Sequence, residues 1–268
     1  MEKTSDGARG DTAAYYDQFF GPLFFEPYAM EVAKRIDPAG IAVALEIAAG
    51  TGRVTRHIRE RILPQATLIA SDINEDMLLE AKKKLSHLAI AWQHVDAQQL
   101  PFADNSIDLV VCCFGYMFVA DKPKAFAEAC RVLRSGGQFI FTTWDRLEQN
   151  AASFITLSIA RQYLREPLPG SYGTATSMND ETAIEQLVRD AGFSKTIIEK
   201  VKQSAVSPSA KEAAYGLVEG GLFYQEIGRQ NPAWIEEIKR KVEQELSEKF
   251  GNAPMVAPIS AIIGQAWK

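Results

Sequence analysis

The chain is short of several things, and each shortage excludes something. No stretch of its 268 residues reaches the roughly 18 uninterrupted apolar residues that a membrane span needs. The opening Met-Glu-Lys-Thr-Ser-Asp-Gly lacks the apolar centre of a secretory signal, so the cytoplasm is the expected compartment. Lys and Arg number 29 against 34 Asp and Glu, a net charge of −5, and no Lys/Arg-rich run stands out. That balance gives no general attraction to nucleic acid or to anionic lipid. Cysteine is scarce. Cys112 and Cys113 are neighbours on one expected strand and so face opposite sides, a poor geometry for sharing a metal. Cys130 lies on the following helix, and His57, His87 and His94 do not cluster, so no metal site is expected and the cysteines read as core. There is no internal repeat and no low-complexity tract.

What is present is ordinary in bulk and specific in detail. Apolar residues make up 47% and charged residues 24%, in a chain long enough for one large domain or a core with a cap. The most informative stretch is Val43 to Thr55. An apolar run ends at the acidic Glu46, a small-residue turn follows with Gly50 and Gly52, and a helical pattern begins. Such a strand–turn–helix lets a ligand approach bare backbone at a helix N-terminus, where unpaired N–H groups and partial positive charge suit a carboxylate or a phosphate. The dinucleotide fingerprint G-x-G-x-x-G/A is met only in part, because Thr55 holds the third small position.

The chain beyond the turn repeats the theme. Leu68–Asp72 is a second apolar strand ending in a carboxylate, twenty positions after Gly52. Asp72 can accept from both hydroxyls of a ribose, or cap the helix Glu75–Leu85, or both. Ala89–Val95 reads as a third strand, followed by Asp96-Ala97 and Leu100-Pro101-Phe102; Ile107–Phe114 reads as a fourth. A helix Lys122–Leu133, a Gly136-Gly137 turn and a fifth strand Gln138–Thr143 complete the block. Helical stripes separate the strands: Val54, Ile58, Ile62; Met77, Leu78, Ala81, Leu85, Leu88; Phe126, Ala129, Val132, Leu133. Strands apolar on both faces between such helices predict a doubly wound, mostly parallel sheet. Ligands in such sheets lie beyond the strands' carboxyl ends, where Glu46, Gly50, Asp72, Asp96 and Phe114–Met117 all fall.

Outside this block the pattern changes. Tyr15–Ile36 is rich in aromatic residues and broken by Gly21-Pro22 and Glu26-Pro27, which predicts helices near Ala13–Phe20 and Pro27–Ile36. After Thr143, helices are expected at Ala151–Arg165, Glu181–Ala191 (capped by Asn179 or Asp180) and Ser209–Val218, with a loop at Glu166–Thr176. Asn231-Pro232 opens another helix with Ile235, Ile238, Val242 and Leu246 on one face. Phe193–Ser204 and Met255–Trp267 read as the last strands, and the fifty or so residues between them as a helical insertion over the site's mouth. The expected division is 1–40 as a helical lid, 41–145 as the ligand-binding core, and 146–268 completing the sheet with a cap, within one domain.

The motifs Leu45–Gly52, Asp72, Asp96-Ala97, Leu100-Pro101-Phe102 with Asp108-Leu109-Val110, and Arg131–Gly137 resemble those of class I S-adenosylmethionine (SAM)-dependent methyltransferases, in the group that includes ubiquinone/menaquinone-biosynthesis enzymes. The resemblance covers roughly residues 10–145. Ala48 stands where that family has its first glycine. The resemblance implies a Rossmann-like seven-stranded sheet with a C-terminal antiparallel strand and helical cap insertions. It implies SAM as cofactor and a small-molecule methyl acceptor.

By the same resemblance, Ala48, Gly50 and Gly52 pass the methionine part and the ribose, and Glu46 supports the turn through backbone or ligand amine. Asp72 holds the ribose hydroxyls. Asp96 accepts from the adenine amino group, with Ala97 donating its N–H. Ile73 and Leu100 sandwich the base, and Phe114 and Gly115 lie near the methionine end. The N-terminal aromatics are core, or a lid in which Tyr15 or Tyr16 faces the sulfonium. Tyr116, Trp144 and Tyr172 are candidate acceptor-pocket residues. Arg53 is either a solvated first-turn residue or an anion anchor. No catalytic residue is assigned, because alignment of two bound reactants itself supplies on the order of 7–11 kcal/mol. A SAM-binding protein without catalysis, and less so a nicotinamide-dependent oxidoreductase, remain the alternative readings.

Overall fold

Five apolar runs become the parallel strands of one sheet: Val43–Ile47 (β1), Thr67–Asp72 (β2), Ala91–His94 (β3), Ile107–Cys113 (β4) and Leu133–Trp144 (β5). The computed structural model describes residues 16–164, 171–220 and 222–268. Lys195–Ser207 (β6) and Met255–Trp267 (β7) complete the sheet in the order β3-β2-β1-β4-β5-β7-β6, with β7 antiparallel to β5. The order reverses at β1, the first strand, whose neighbours are β2 on one side and β4 on the other. That is the switch point at which doubly wound sheets bind their ligands.

The helices follow the stripes in the sequence. Tyr16–Phe25 (α1, wound as a π-helix) and Glu26–Lys34 (α2) precede the sheet; Arg53–Arg61 (α3), Glu75–Lys84 (α4) and Lys122–Val132 (α5) cross between strands. Val54, Ile58 and Ile62 are buried, as are Leu78, Ala81 and Leu85, while Met77 and Leu88 are half-buried. Behind β5 the core is aromatic: Phe126, Phe139 and Phe141 stack or meet edge-on within 5.8 Å, and Phe193 stacks on Phe139 at 5.6 Å. Cys112, Cys113 and Cys130 are buried free thiols.

At the opposite end of the sheet Asp108 has a structural task. Its Oδ2 accepts from the N–H groups of Ala42 and Val43, and its Oδ1 from Arg134 at 2.7 Å. The expected Gly136-Gly137 turn lies inside β5 as a bulge: the register steps from Ile107↔Leu133 to Leu109↔Gln138, and Gly136 takes φ 77°.

The remaining helices are Ala151–Ala160 (α6), Ser171–Ala175 (α7), Glu181–Asp190 (α8), Ala210–Glu219 (α9), Leu222–Gln230 (α10) and Trp234–Phe250 (α11). Asp180, not Asn179, caps α8, accepting from the N–H groups of Thr182 and Ala183. Three expectations change. Gly21-Pro22 does not divide the N-terminal segment, since α1 runs through it; the wider π winding relieves the clash a proline makes in an α-helix. Ala13–Tyr15, in the expected first helix, lie outside the described residues. α6 stops at Ala160, five residues early, and part of the expected loop is helix α7. The helical insertion between β6 and β7 holds three helices, of which α10 was not expected.

The chain forms two compact units that do not follow sequence order. One comprises Tyr28–Trp144, Ala175–Val201 and Ala261–Lys268, and the other the described residues of Met1–Pro27, Asp145–Thr174 and Lys202–Ser260. In the helical unit α6 and α9 pack on α11, whose Ile235, Ile238, Val242 and Leu246 are buried. Phe19 meets Tyr215 edge-on at 5.2 Å, and Lys239 pairs with Glu219 and Glu236 while lying over the Tyr215 ring. Asp145, Asn150 and Ser260 form a buried polar knot, with Ser260 Oγ donating to Asp145 at 2.9 Å. Among the described residues no helix is long and apolar enough to cross a membrane.

Candidate functional site

The site residues on the sheet unit are placed by the carboxyl ends of β1, β2, β3 and β4. Glu46 pairs in register with Ala70 on β2 and Val111 on β4, so it lies in the middle of the sheet. The chain leaves β1 through Ala48 (φ 56°), Gly50 (φ 56°) and Gly52 (φ 81°), all left-handed. Ala49 N–H donates to Ser71 O, Gly52 N–H to Ala49 O, and Lys84 Nζ to Thr51 O, which hold the turn against β2 and α4. The glycines do different things. A Cβ on Gly52 would stand 2.8 Å from Leu85 Cδ1, so this residue lets α4 pack against the turn. A Cβ on Gly50 would meet nothing within 4 Å; here bare backbone faces open space.

Two carboxyl groups stand on the strands beside the turn, Asp72 on β2 and Glu46 on β1. Asp72 Oδ2 accepts from Gly50 N–H and Oδ1 from Asn74 N–H, both at 2.8 Å. Burial raises its carboxyl above the ordinary value, against the pull of the Asn74, Gly50 and Ile73 N–H groups and the His94 ring. The helix cap expected of Asp72 is supplied by Asn74, whose side chain accepts from Asp76 and Met77 N–H. Glu46 is 1% exposed, and neither of its carboxylate oxygens has a hydrogen-bond partner. Burial pushes its carboxyl up to about 8; the Thr55 hydroxyl, outside hydrogen-bonding geometry, opposes the rise, and Asp72 adds to it. An orphaned buried carboxyl of this kind costs about 1–3 kcal/mol or more, and a cationic donor would recover it.

The residues expected on the adenine side follow β3. Asp96 accepts from Gln98 N–H at 2.8 Å and from the Gln98 carboxamide on both oxygens. The Gln98 peptide, then its side chain, hold the Asp96 carboxyl below the usual carboxylate range. Ala97 is buried, and Ile73 stands 63% exposed, an apolar face open to a ligand. Leu100 differs from expectation. It is buried and offers no free face, and its backbone is held as well: Glu128 accepts from its N–H and Arg131 donates to its carbonyl. Arg131 also takes Phe102 O and Asp104, so the whole segment is strapped to α5.

At the end of β4, Phe114 takes φ 55°, a strained conformation for a bulky residue. Its N–H donates to Thr142, and its ring stacks on Trp144 at 4.0 Å with Tyr28 edge-on to both. Gly115 abuts the turn: a Cβ there would lie 2.5 Å from Ala48 Cβ. The methyl that Ala48 adds is thus accommodated by a glycine in the loop that follows β4. Tyr116 is not a pocket residue, since it is buried against Phe126 and Phe139 and donates to Ala125 O. Arg53 opens α3 half-buried. Tyr16 belongs to the helical unit, where its ring stacks on Phe20 and tilts toward Phe25. Tyr15, and the side chain of Tyr172, lie outside the described residues.

Sequence reasoning missed Gln98 and Asn74. The Asp-x-Gln spacing carried the signal for the first, because an Asp side chain commonly accepts from the N–H two residues on. For the second, Asp72-Ile73-Asn74-Glu75 holds two candidate caps and no local rule chooses between them.

Residues 45–141 match the family described as a methyltransferase domain. A ubiquinone/menaquinone biosynthesis C-methyltransferase, UbiE, of Saccharophagus degradans is 31% identical over 167 residues, 57% of this chain and 67% of its own. The UbiE of Francisella tularensis subsp. novicida is 28% identical over 209 residues, 72% of this chain and 84% of its own. In fold, the chain is similar to a Haemonchus contortus phosphoethanolamine N-methyltransferase solved with phosphomonomethylethanolamine and S-adenosylhomocysteine. The TM-score is 0.59 at 18% identity, over 96% of this chain and 56% of the other. This chain belongs to the class I SAM-dependent methyltransferases, in the family of the UbiE enzymes. It is an enzyme that transfers a methyl group from SAM to a small-molecule acceptor.

Proposed function

We propose that the carboxyl ends of β1, β2 and β3 hold SAM, with Asp72 on the ribose hydroxyls, Asp96 on the adenine amino group and Glu46 on the methionine ammonium. The single observation that carries this reading is the orphaned, buried Glu46 carboxyl on β1, one strand from the Asp72 that accepts from Gly50 N–H. Of the two roles expected for Glu46, support of the turn through backbone N–H groups finds no donor, which leaves the ligand amine. Asp72 retains lone pairs beyond its two N–H partners, and Ile73 covers a face of the base. Phe114 and Gly115 border the methionine end.

Bound there, SAM supplies an activated methyl on a sulfonium. The chain's own residues orient it and exclude water. The acceptor is an apolar or amphipathic small molecule. The relatives' names speak of carbon methylation in ubiquinone and menaquinone biosynthesis, so quinone precursors are the first acceptors to try. Calorimetric titration with S-adenosylhomocysteine, with NADH as control, tests the cofactor reading. Micromolar binding of the former alone supports it, and binding of NADH instead overturns it.

A further inference from the structure

The Gln98 side chain is held at both ends. Its carbonyl oxygen accepts from the N–H of Asp121 at 2.9 Å, and Asp121 itself caps α5 by accepting from Lys124 N–H. With the carbonyl so committed, the NH2 group must face the Asp96 carboxylate, which it contacts at 3.1 and 3.2 Å. The Gln98 peptide N–H adds a third donor, on Oδ1 at 2.8 Å. An ionised carboxylate has about four lone-pair sites and no proton to donate. Gln98 thus fills Oδ1 with two donors and gives Oδ2 one, which leaves Oδ2 a site for a donor from outside the protein. A shorter side chain would not span from Asp96 to the N-terminus of α5, and an apolar one would leave the carboxylate free to rotate.

We propose that Gln98 sets the base specificity of the cofactor site as a positioning residue: it presents Asp96 as an acceptor-only edge that takes a 6-amino purine and rejects a 6-oxo purine. This rests on the reading of Asp96 as the partner of the adenine amino group. A 6-oxo base places its own acceptor against the carboxylate, and two acceptors facing without a proton between them repel. A site built to hydrogen-bond one group discriminates strongly against an analogue that cannot supply it. The discrimination requires the carboxylate to be fixed, because a rotated or water-bridged carboxylate admits either base.

The test is calorimetric titration of the full chain with S-adenosylhomocysteine and with S-inosylhomocysteine, for wild type, Asp96→Asn and Gln98→Met. Methionine keeps the length and removes every donor and acceptor of the amide. Wild type is expected to prefer the adenosyl ligand by about ten- to a hundredfold, the range of one hydrogen bond to a charged group. Asp96→Asn, which can donate to a 6-oxo group, brings that ratio to within a few-fold, and Gln98→Met brings it down as well. The ratio is the readout because a merely structural role weakens both ligands alike and leaves it unchanged. Absence of preference in wild type overturns the Asp96 reading itself. A collapsed ratio in Asp96→Asn beside an unchanged ratio in Gln98→Met overturns the role of Gln98 alone. Gln98→Ala, measured the same way with a thermal melt to establish folding, replaces the methionine variant should that one not fold.

Discussion

At Asp96 both carboxylate oxygens have donors; at Glu46 neither has. The two groups belong to the same sheet unit, yet their surroundings push them opposite ways. Asp96 is held below its ordinary range by hydrogen bonds from its own loop, which Arg131, Glu128 and Asp121 strap to α5. Glu46, in the middle of the sheet, is pushed up to about 8 by burial. On the β3–α5 side both Asp96 oxygens are met from within the protein, with one site on Oδ2 left over. The β1 side carries an orphaned carboxyl, an orphaned Thr55 hydroxyl and a strained Ala48, and a strained Phe114 follows the neighbouring β4. Strain and missing partners gather at the carboxyl ends of β1 and β4.

The largest effect expected is on the turn that divides the two sides. Gly52→Ala adds left-handed strain of about 1–2 kcal/mol and overpacking against Leu85 of about 1–3 kcal/mol, for a loss of about 2–5 kcal/mol in denaturant unfolding. Gly50→Ala should lose only the strain, about 1–2 kcal/mol, yet weaken S-adenosylhomocysteine binding, because its methyl points into open space. Equal stability losses in the two variants would remove the contrast between packed and open glycine.

Asp72→Ala comes next. It should weaken S-adenosylhomocysteine binding by about ten- to a hundredfold in calorimetry, the range of a hydrogen bond to a charged group. Unchanged affinity in a folded variant contradicts the ribose assignment.

The pH dependence of Glu46 sharpens the comparison. Its carboxyl is neutral in the fold until about pH 8 and ionises from 4.5 upward once the chain unfolds. The unfolded state therefore loses a proton that the folded state keeps. The group's contribution to stability is whole below pH 4.5 and is lost as pH rises toward 8. Glu46→Gln, which mimics the neutral carboxyl, should gain on wild type across that window, by no more than about 1.4 kcal/mol per pH unit. Parallel melting curves for the two proteins from pH 5 to pH 8, at about one point per unit, would show no such gain.

The smallest effect concerns Ala48. Glycine removes about 1–2 kcal/mol of left-handed strain but adds about 0.4–1 kcal/mol of unfolded-state freedom, so Ala48→Gly should stabilise by no more than about 1.6 kcal/mol. A destabilised Ala48→Gly variant would mean that packing of the Ala48 methyl against Gly115 outweighs the strain.

Much of this was legible before any coordinates. The bounds of β7, the buried face of α11 and the carboxylates at three strand ends follow from period, composition and the residue closing each run, while β1 runs one residue past Glu46. The N-terminal helix was not, because Gly21-Pro22 breaks an α-helix and gives no warning that the chain winds as a π-helix. α10 hides between two breaker pairs, Gly220-Gly221 and Asn231-Pro232, with no cap signal of its own. Leu100 was misjudged for another reason. Its apolar side chain suits an adenine, and only the strap from Arg131 and Glu128 reveals that it is core. The contrast between Asp96 and Glu46 is tertiary as well, since both read as an acidic residue at or just past the end of an apolar strand.

The most direct measurement is titration of S-adenosylhomocysteine at pH 7 in two buffers of different ionisation enthalpy, for wild type and Glu46→Gln. The account predicts net proton release on binding to wild type, as Glu46 ionises against the ligand's ammonium, and none from the variant. Binding of full strength with no proton released by wild type would contradict it.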